Sequence, residues 1–208
     1  PHTTLRLAEL CAGLLPKGVF NVVNGLGAEV GERLSLHPDI DKISFTGATD
    51  TGARLMQAGA SDMKRITLEL GGKSPNIVFA DADLPKAANA AVSGGFGNAG
   101  QSCSARTRVL VEQRVFEEFL DLFVAATRRF RVGDPLDPAT EMGPLISSSQ
   151  WNTVKSYVDL AQHEGGTIVC GGDRPAGIES GHYFAPTIVR GVSNSARVAQ
   201  EEIFGPVV

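Results

Sequence analysis

The stretch Lys42-Ile43-Ser44-Phe45-Thr46-Gly47-Ala48-Thr49-Asp50-Thr51-Gly52 decides the fold class. Lys42 to Phe45 has strand composition, Thr46-Gly47-Ala48 is a turn, and Asp50 to Gly59 is helical with Gly52 in its first turn. Upstream, the apolar run Phe20 to Val23 reads as a buried strand; it leads into Asn24-Gly25-Leu26-Gly27 and a helical stretch from Ala28 to Leu36. Strand, glycine turn and helix thus follow one another twice, which predicts an α/β protein on a doubly wound parallel sheet. Residues 3 to 15 place Leu5, Leu7, Leu10, Cys11 and Leu14 on one broad apolar face. They predict a core-facing helix capped by Thr3 or Thr4 and ended by Gly18.

Downstream the pattern changes. Arg65 to Leu70 is a strand that runs through Gly71-Gly72-Lys73-Ser74-Pro75 into another, Asn76 to Ala80, with no helix between, so a domain junction falls near Gly71. Asp81-Ala82-Asp83 caps an alanine-rich helix to about Gly94, and Gly95 to Ser104 is a small, polar loop. The remaining expected elements are a strand over Arg106 to Glu112, helices over Val115 to Arg129 and Ser148 to Glu164, and strands over Thr167 to Cys170 and Tyr183 to Val189. Residues 1–71 then form part of a parallel α/β domain and residues 72–208 a second α/β domain.

Composition bounds the function. The 208 residues are 42% hydrophobic and 20% charged with a net charge of −4, which excludes collagen-like, disordered and membrane-spanning classes. The densest basic cluster, Arg128, Arg129 and Arg131, is too short to track phosphates, so nucleic acid is not an expected partner. The 24 glycines are about 12% of the chain against a typical value near 7%, which points to turns and close backbone approaches. Three widely spaced cysteines, with no Cys-x-x-Cys, fit a reducing compartment and no metal site. The chain opens at Pro1 and closes on Pro206-Val207-Val208, which reads as a strand beginning; a piece of a longer polypeptide is expected.

Two residues carry candidate chemistry. Cys103 lies within Asn98-Ala99-Gly100-Gln101-Ser102-Cys103-Ser104, a small polar loop in which a thiol stays reachable and backbone N–H groups can support its thiolate. Cys11 and Cys170, in apolar runs, read as buried core residues. Glu69 ends the strand Ile66 to Leu70 immediately before two glycines; it is either a solvent-facing residue of an edge strand or a partly buried general base. His2, His37, His163 and His182 lie in loops or polar helices far from any motif, which disfavours a cysteine hydrolase. The glycine turns at 24–27 and 45–49 follow strands and precede helices, as an anion site requires, but neither has the G-x-G-x-x-G form.

Together, Leu68-Glu69-Leu70-Gly71-Gly72-Lys73-Ser74-Pro75-Asn76 and Asn98-x-Gly100-Gln101-x-Cys103 resemble the two signature segments of the aldehyde dehydrogenase superfamily, in order and at the right separation. Supporting likenesses are Phe20-Asn21-Val22-Val23-Asn24-Gly25, Phe45-Thr46-Gly47-x-Thr49-x-x-Gly52, Met142-Gly143-Pro144-Leu145, Phe184-x-Pro186-Thr187 and Glu201-Glu202-Ile203-Phe204-Gly205-Pro206. The resemblance implies a Rossmann-type dinucleotide-binding domain followed by a catalytic domain, in a longer protein that is a homodimer or homotetramer. It implies oxidation of an aldehyde to a carboxylic acid with NAD or NADP. Cys103 would be the nucleophile that passes through a hemithioacetal and a thioester, and Glu69 the base that hydrolyses the thioester. Gly27, Phe45, Thr46, Gly47, Leu70, Gly71, Glu202 and Phe204 would contact the cofactor. The segment around Cys103 is similar to that of aminoaldehyde and betaine aldehyde oxidising members.

Ala48 departs from the family pattern, which has serine there; one hydrogen bond to the pyrophosphate is lost, about 1 kcal/mol. The asparagine and lysine that complete the family's oxyanion and ribose contacts precede Pro1. The 208 residues alone are therefore not expected to turn over. Within the family, Glu69 favours hydrolysis over transfer of the acyl group to CoA. A non-catalytic packing or assembly module is the rival from another class. The expected compartment is the cytoplasm.

Overall fold

A computed structural model describes residues 1–208. The chain divides into two compact units, Pro1–Leu70 and Gly71–Val208.

The first unit is built on two parallel strands, β1 (Lys42–Gly47) and β2 (Arg65–Leu70), in register from Lys42 beside Arg65 to Gly47 beside Leu70. Helix α3 (Thr49–Ala60) makes the crossover. Along both strands alternate residues are exposed, and the half-buried row Ile43, Phe45, Ile66, Leu68 and Leu70 is the apolar one. Gly52 and Gly59 let α3 approach this row: a Cβ at Gly52 would stand 2.8 Å from Leu70 and one at Gly59 2.7 Å from Ile66. The remaining helices are α1 (His2–Cys11) and α2 (Glu32–Leu36), the latter entered through a π-helical turn at Gly27–Gly31.

Several expectations fail in this unit. Helix α1 is shorter than residues 3 to 15 and starts at His2 behind Pro1, with neither Thr3 nor Thr4 as its cap. It buries no residue, and Leu10 is 59% exposed, because nothing within residues 1–70 covers its apolar face. Phe20 to Val23 forms no strand; within residues 1–70 only β1 and β2 pair, and a short apolar run becomes a strand only where another pairs with it. The strand–turn–helix unit is therefore realised once, by β1 and α3.

In the second unit β3 (Pro75–Val78) pairs parallel with β4 (Arg108–Val111), and α4 (Leu84–Phe96) makes the connection. Asp83 caps α4 by accepting the Lys86 N–H at 3.1 Å. Helix α5 (Phe116–Arg129) packs on α4, with the Phe96 and Phe123 rings stacked at 6.0 Å and Phe119 5.8 Å from Phe123. Helix α6 (Ser148–His163), capped by Ser147, precedes β5 (Thr167–Cys170), which pairs antiparallel with β6 (Ile188–Arg190). A short helix, α7 (Arg197–Gln200), has no counterpart in the sequence reading. One core joins α4, α5, α6, β6 and the chain's last residues.

The strand expected over Tyr183 to Val189 shrinks to β6 because Pro186 offers no donor and, with its backbone bridged to Val207, Thr187 does not join the ladder with β5. The buried Thr187 hydroxyl accepts the Gly172 N–H at 2.9 Å and donates to the Ala185 carbonyl at 2.7 Å. Cys11 and Cys170 are half-buried rather than buried. Burial still pushes the Cys170 thiol above its ordinary pKa. No helix is long and apolar enough to cross a membrane.

Candidate active site

Cys103 sits in the loop that follows α4. That loop is shaped by three successive left-handed residues, Asn98 (φ 53°), Ala99 (φ 55°) and Gly100 (φ 68°). Left-handed backbone is costly for any residue with a Cβ, so tertiary contacts must hold it. The Asn98 amide donates to the Gln101 carbonyl at 2.9 Å, and the Gln101 side chain accepts the Ile146 N–H at 2.9 Å. At Gly100 the Gly205 carbonyl lies where a Cβ would stand, so only glycine fits. These contacts present Cys103 at an exposed turn, with the Ser102 and Ser104 hydroxyls 3.1 Å apart on either side. The Cys103 backbone N–H donates to no group of the chain and is free to meet an oxyanion.

The Gly100–Gly205 contact joins this loop to the turn that carries Glu202 and Phe204. Phe204 is left-handed (φ 55°) and 40% exposed. The Glu202 carboxylate packs against Gly71, at the position a Cβ there would take. Its Oε1 is buried with no hydrogen-bond partner. A buried carboxylate oxygen left unmet costs free energy unless a donor arrives, and hydroxyl groups are donors of the right kind. Two residues on, Lys73 is held by burial and the nearby Arg108 cation at a pKa of about 8, against an opposing pull from Glu202. Arg108 in turn donates to the Lys73 carbonyl at 2.9 Å and to Asn194 at 3.2 Å. The sequence places Lys73 within a signature segment, directly after a Gly-Gly pair, but gives no sign of its burial or of Arg108 beside it.

In the first unit, Thr46 and Glu69 are register partners across β1 and β2, both on the exposed row that faces away from α3. Of the two readings of Glu69, residues 1–70 by themselves give the solvent-facing one: the residue is exposed and pairs with nothing, because β2 alternates and its half-buried row is the apolar one. Gly47 and Leu70 close the same ladder. The Phe45 ring folds back over Gly47, and Leu70 rests on Gly52. Gly27 opens the π-helical turn with open space around it. Glu69 and Cys103 belong to different units, as do Phe45, Thr46 and Gly47 on one side and Glu202 and Phe204 on the other.

The aldehyde dehydrogenase family profile matches residues 1–208. The chain belongs to that family. It is 45% identical over 99% of its length to a chloroplastic betaine aldehyde dehydrogenase from Amaranthus hypochondriacus, and 44% identical over 99% to the peroxisomal aminoaldehyde dehydrogenase 1 from Pisum sativum. In each case it spans 41% of the relative. Among solved structures it is similar to a betaine aldehyde dehydrogenase from Staphylococcus aureus in complex with NAD+, with a TM-score of 0.96 and 42% identity over 99% of this chain and 41% of that one. The α/β fold of an aldehyde dehydrogenase is thereby established for these residues, and both segments that carried the resemblance lie within the matched range.

Proposed function

We propose that the protein containing this chain oxidises an aldehyde to its carboxylic acid with NAD or NADP. The supporting observation is the exposed Cys103 thiol, on a loop locked through Gly100 to the turn that holds the buried, unpartnered Glu202 oxygen. Glu202 suits the hydroxyls of the cofactor's ribose, which supply the donors its Oε1 lacks. The partly exposed Phe204 side chain would meet the nicotinamide. By the family resemblance, Gly27, Phe45, Thr46, Gly47 and Leu70 would contact the rest of the dinucleotide, and Gly71 gives the room that Glu202 needs. Bound there, the nicotinamide supplies the two-electron oxidant.

The chain's own residues take the following parts. The Cys103 thiolate adds to the aldehyde carbon, and the oxygen, now an alkoxide, is met by the free Cys103 N–H. Oxidation leaves an acyl group on sulfur as a thioester. Glu69 takes a proton from water, the resulting hydroxide equivalent attacks the thioester carbon, the C–S bond breaks, and the thiolate is regenerated with the acid.

The substrate class we infer is a small aldehyde bearing an amino or trimethylammonium group. Betaine and aminoaldehyde dehydrogenases among the relatives, together with Ser102 and Ser104 beside the nucleophile, support it. The three free thiols support a reducing compartment, and we assign the cytoplasm; chloroplastic and peroxisomal relatives mark the alternatives that fractionation would reveal. A homodimer or homotetramer is the proposed assembly, readable by light scattering. The deciding experiment supplies the full-length protein with NAD or NADP and a panel of aldehydes, without CoA. Equal yields of reduced cofactor and carboxylic acid are expected. A strict need for CoA makes the protein an acyl-transferring enzyme, and no turnover with any aldehyde leaves the packing module.

A further inference from the structure

Gln150, Tyr157 and Glu164 stand seven residues apart along α6 and at its end, two helical turns each, so they fall on one stripe. All three reach the same segment. The Gln150 amide donates to the carbonyls of Ile203 and Phe204, both at 2.9 Å. The Tyr157 hydroxyl donates to Glu201 at 2.7 Å. The Glu164 carboxylate accepts the backbone N–H groups of Arg197 at 2.9 Å and Val198 at 3.1 Å, in the first turn of α7. The order is antiparallel, with the start of α6 meeting the end of the segment. Arg197 closes the set with two hydrogen bonds to Glu201, at 2.9 and 3.0 Å.

Between the polar anchors the stripe is apolar: Val154 is fully buried against Gly205, where its side chain occupies the place of a Cβ. The laced segment contains Glu202 and Phe204. Phe204 holds a left-handed backbone that a non-glycine residue leaves when released, and the Gln150 amide grips its carbonyl. Burial and Glu201 push the Tyr157 hydroxyl up to about 12, so the donor persists across the physiological range.

We propose that Gln150, Tyr157 and Glu164 are positioning residues for the cofactor turn, a polar lacing along one face of α6 that fixes Glu202 against Gly71 and Phe204 in its left-handed conformation. This rests on the reading of Glu202 and Phe204 as cofactor contacts. None of the three need touch cofactor or substrate for it to hold.

The test uses the full-length enzyme and four variants: Gln150→Ala, Tyr157→Phe, Glu202→Gln and, as a stability control in α4, Val92→Ala. The readouts are the KM values for cofactor and aldehyde, the deuterium isotope effect with aldehyde labelled at C1, and the melting temperature. Tyr157→Phe, which loses one hydrogen bond, is expected to raise the cofactor KM about fivefold, and Gln150→Ala, which loses two, at least about fivefold, both raising the isotope effect while aldehyde KM holds. Val92→Ala lowers the melting temperature with neither kinetic change. If Glu202→Gln weakens cofactor binding while Gln150→Ala and Tyr157→Phe behave as wild type, the lacing is overturned and the cofactor reading stands. If Glu202→Gln itself changes nothing, the cofactor reading falls and the lacing's role with it. Tyr157→Phe keeps the ring and its packing, so the test survives a Gln150→Ala protein that does not fold.

Discussion

The Glu202 carboxylate stands where the Cβ of any residue other than glycine would stand at position 71. Gly71 is therefore required by a contact, and its φ is not in the left-handed region that would demand glycine on its own. Gly71→Ala must push Glu202 out of its place, since a carboxylate cannot share space with a methyl group. In the full-length enzyme we expect the dissociation constant for NAD or NADP to rise at least about tenfold, with a stability loss of about 1–3 kcal/mol from overpacking. A cofactor titration monitored by protein fluorescence reads the first and urea unfolding the second. Unchanged affinity in a folded variant would mean that Glu202 does not meet the cofactor.

The three thiols differ in exposure, and their alkylation rates follow. Cys103 is exposed, whereas Cys11 and Cys170 are half-buried and burial raises the Cys170 pKa. Iodoacetamide at neutral pH should label Cys103 first and Cys170 last, the two separated by about an order of magnitude or more. Peptide mapping of a time course orders the three sites. Cys103→Ala should abolish the fast phase and, in the full-length protein, aldehyde oxidation with it.

Much of the second unit was legible in the sequence because its signals are local. Asp83 is the cap that its position before an alanine-rich run announces, and Thr167 to Cys170 is a strand to the residue. The first unit was read less well. The apolar face of α1 and the run Phe20 to Val23 have the composition of buried elements, yet composition records what a segment can bury and not what lies beside it. For the candidate site, the motifs single out Cys103, Glu69 and Glu202. They gave no sign that Gly100 meets Gly205 or that Gly71 meets Glu202, because such approaches join residues about a hundred positions apart or more. The helix over Ser148 to Glu164 was expected, but nothing in its sequence names the segment that Gln150, Tyr157 and Glu164 reach.

Lys73 makes stability depend on pH. Its folded pKa, about 8, lies below the ordinary value of 10.5, chiefly through burial, so the folded state disfavours the charged form. Below about pH 8 the lysine is charged in both states and the penalty is fully present. As pH rises from 8 toward 10.5 the folded protein sheds the proton first, and the penalty is relieved. Unfolding free energy should therefore gain up to roughly 3 kcal/mol across this window from Lys73, and Lys73→Met should flatten the rise. Urea titrations at a series of pH values measure both. Equal slopes for wild type and Lys73→Met would show that the amine is solvated.

Ala48 is the N-cap of α3, with φ −66° and ψ 144°, and it offers no side-chain hydrogen bond to the helix. Its carbonyl already accepts the Gly52 N–H at 3.0 Å, so the cap backbone is in place and only the side-chain acceptor is missing. Ala48→Ser supplies an oxygen to the N–H groups of the first turn, and α3 is the crossover that covers the buried face of β1 and β2. A gain of about 1 kcal/mol is expected, read as a higher urea midpoint with unchanged slope. The same hydroxyl would face an anion bound at this helix start and donate to it, which tightens NAD or NADP about fivefold in the full-length enzyme. The two effects separate cleanly. A gain in stability without a gain in affinity means that the Phe45-Thr46-Gly47 turn does not carry the pyrophosphate, whereas a gain in both places the cofactor's phosphates at the start of α3.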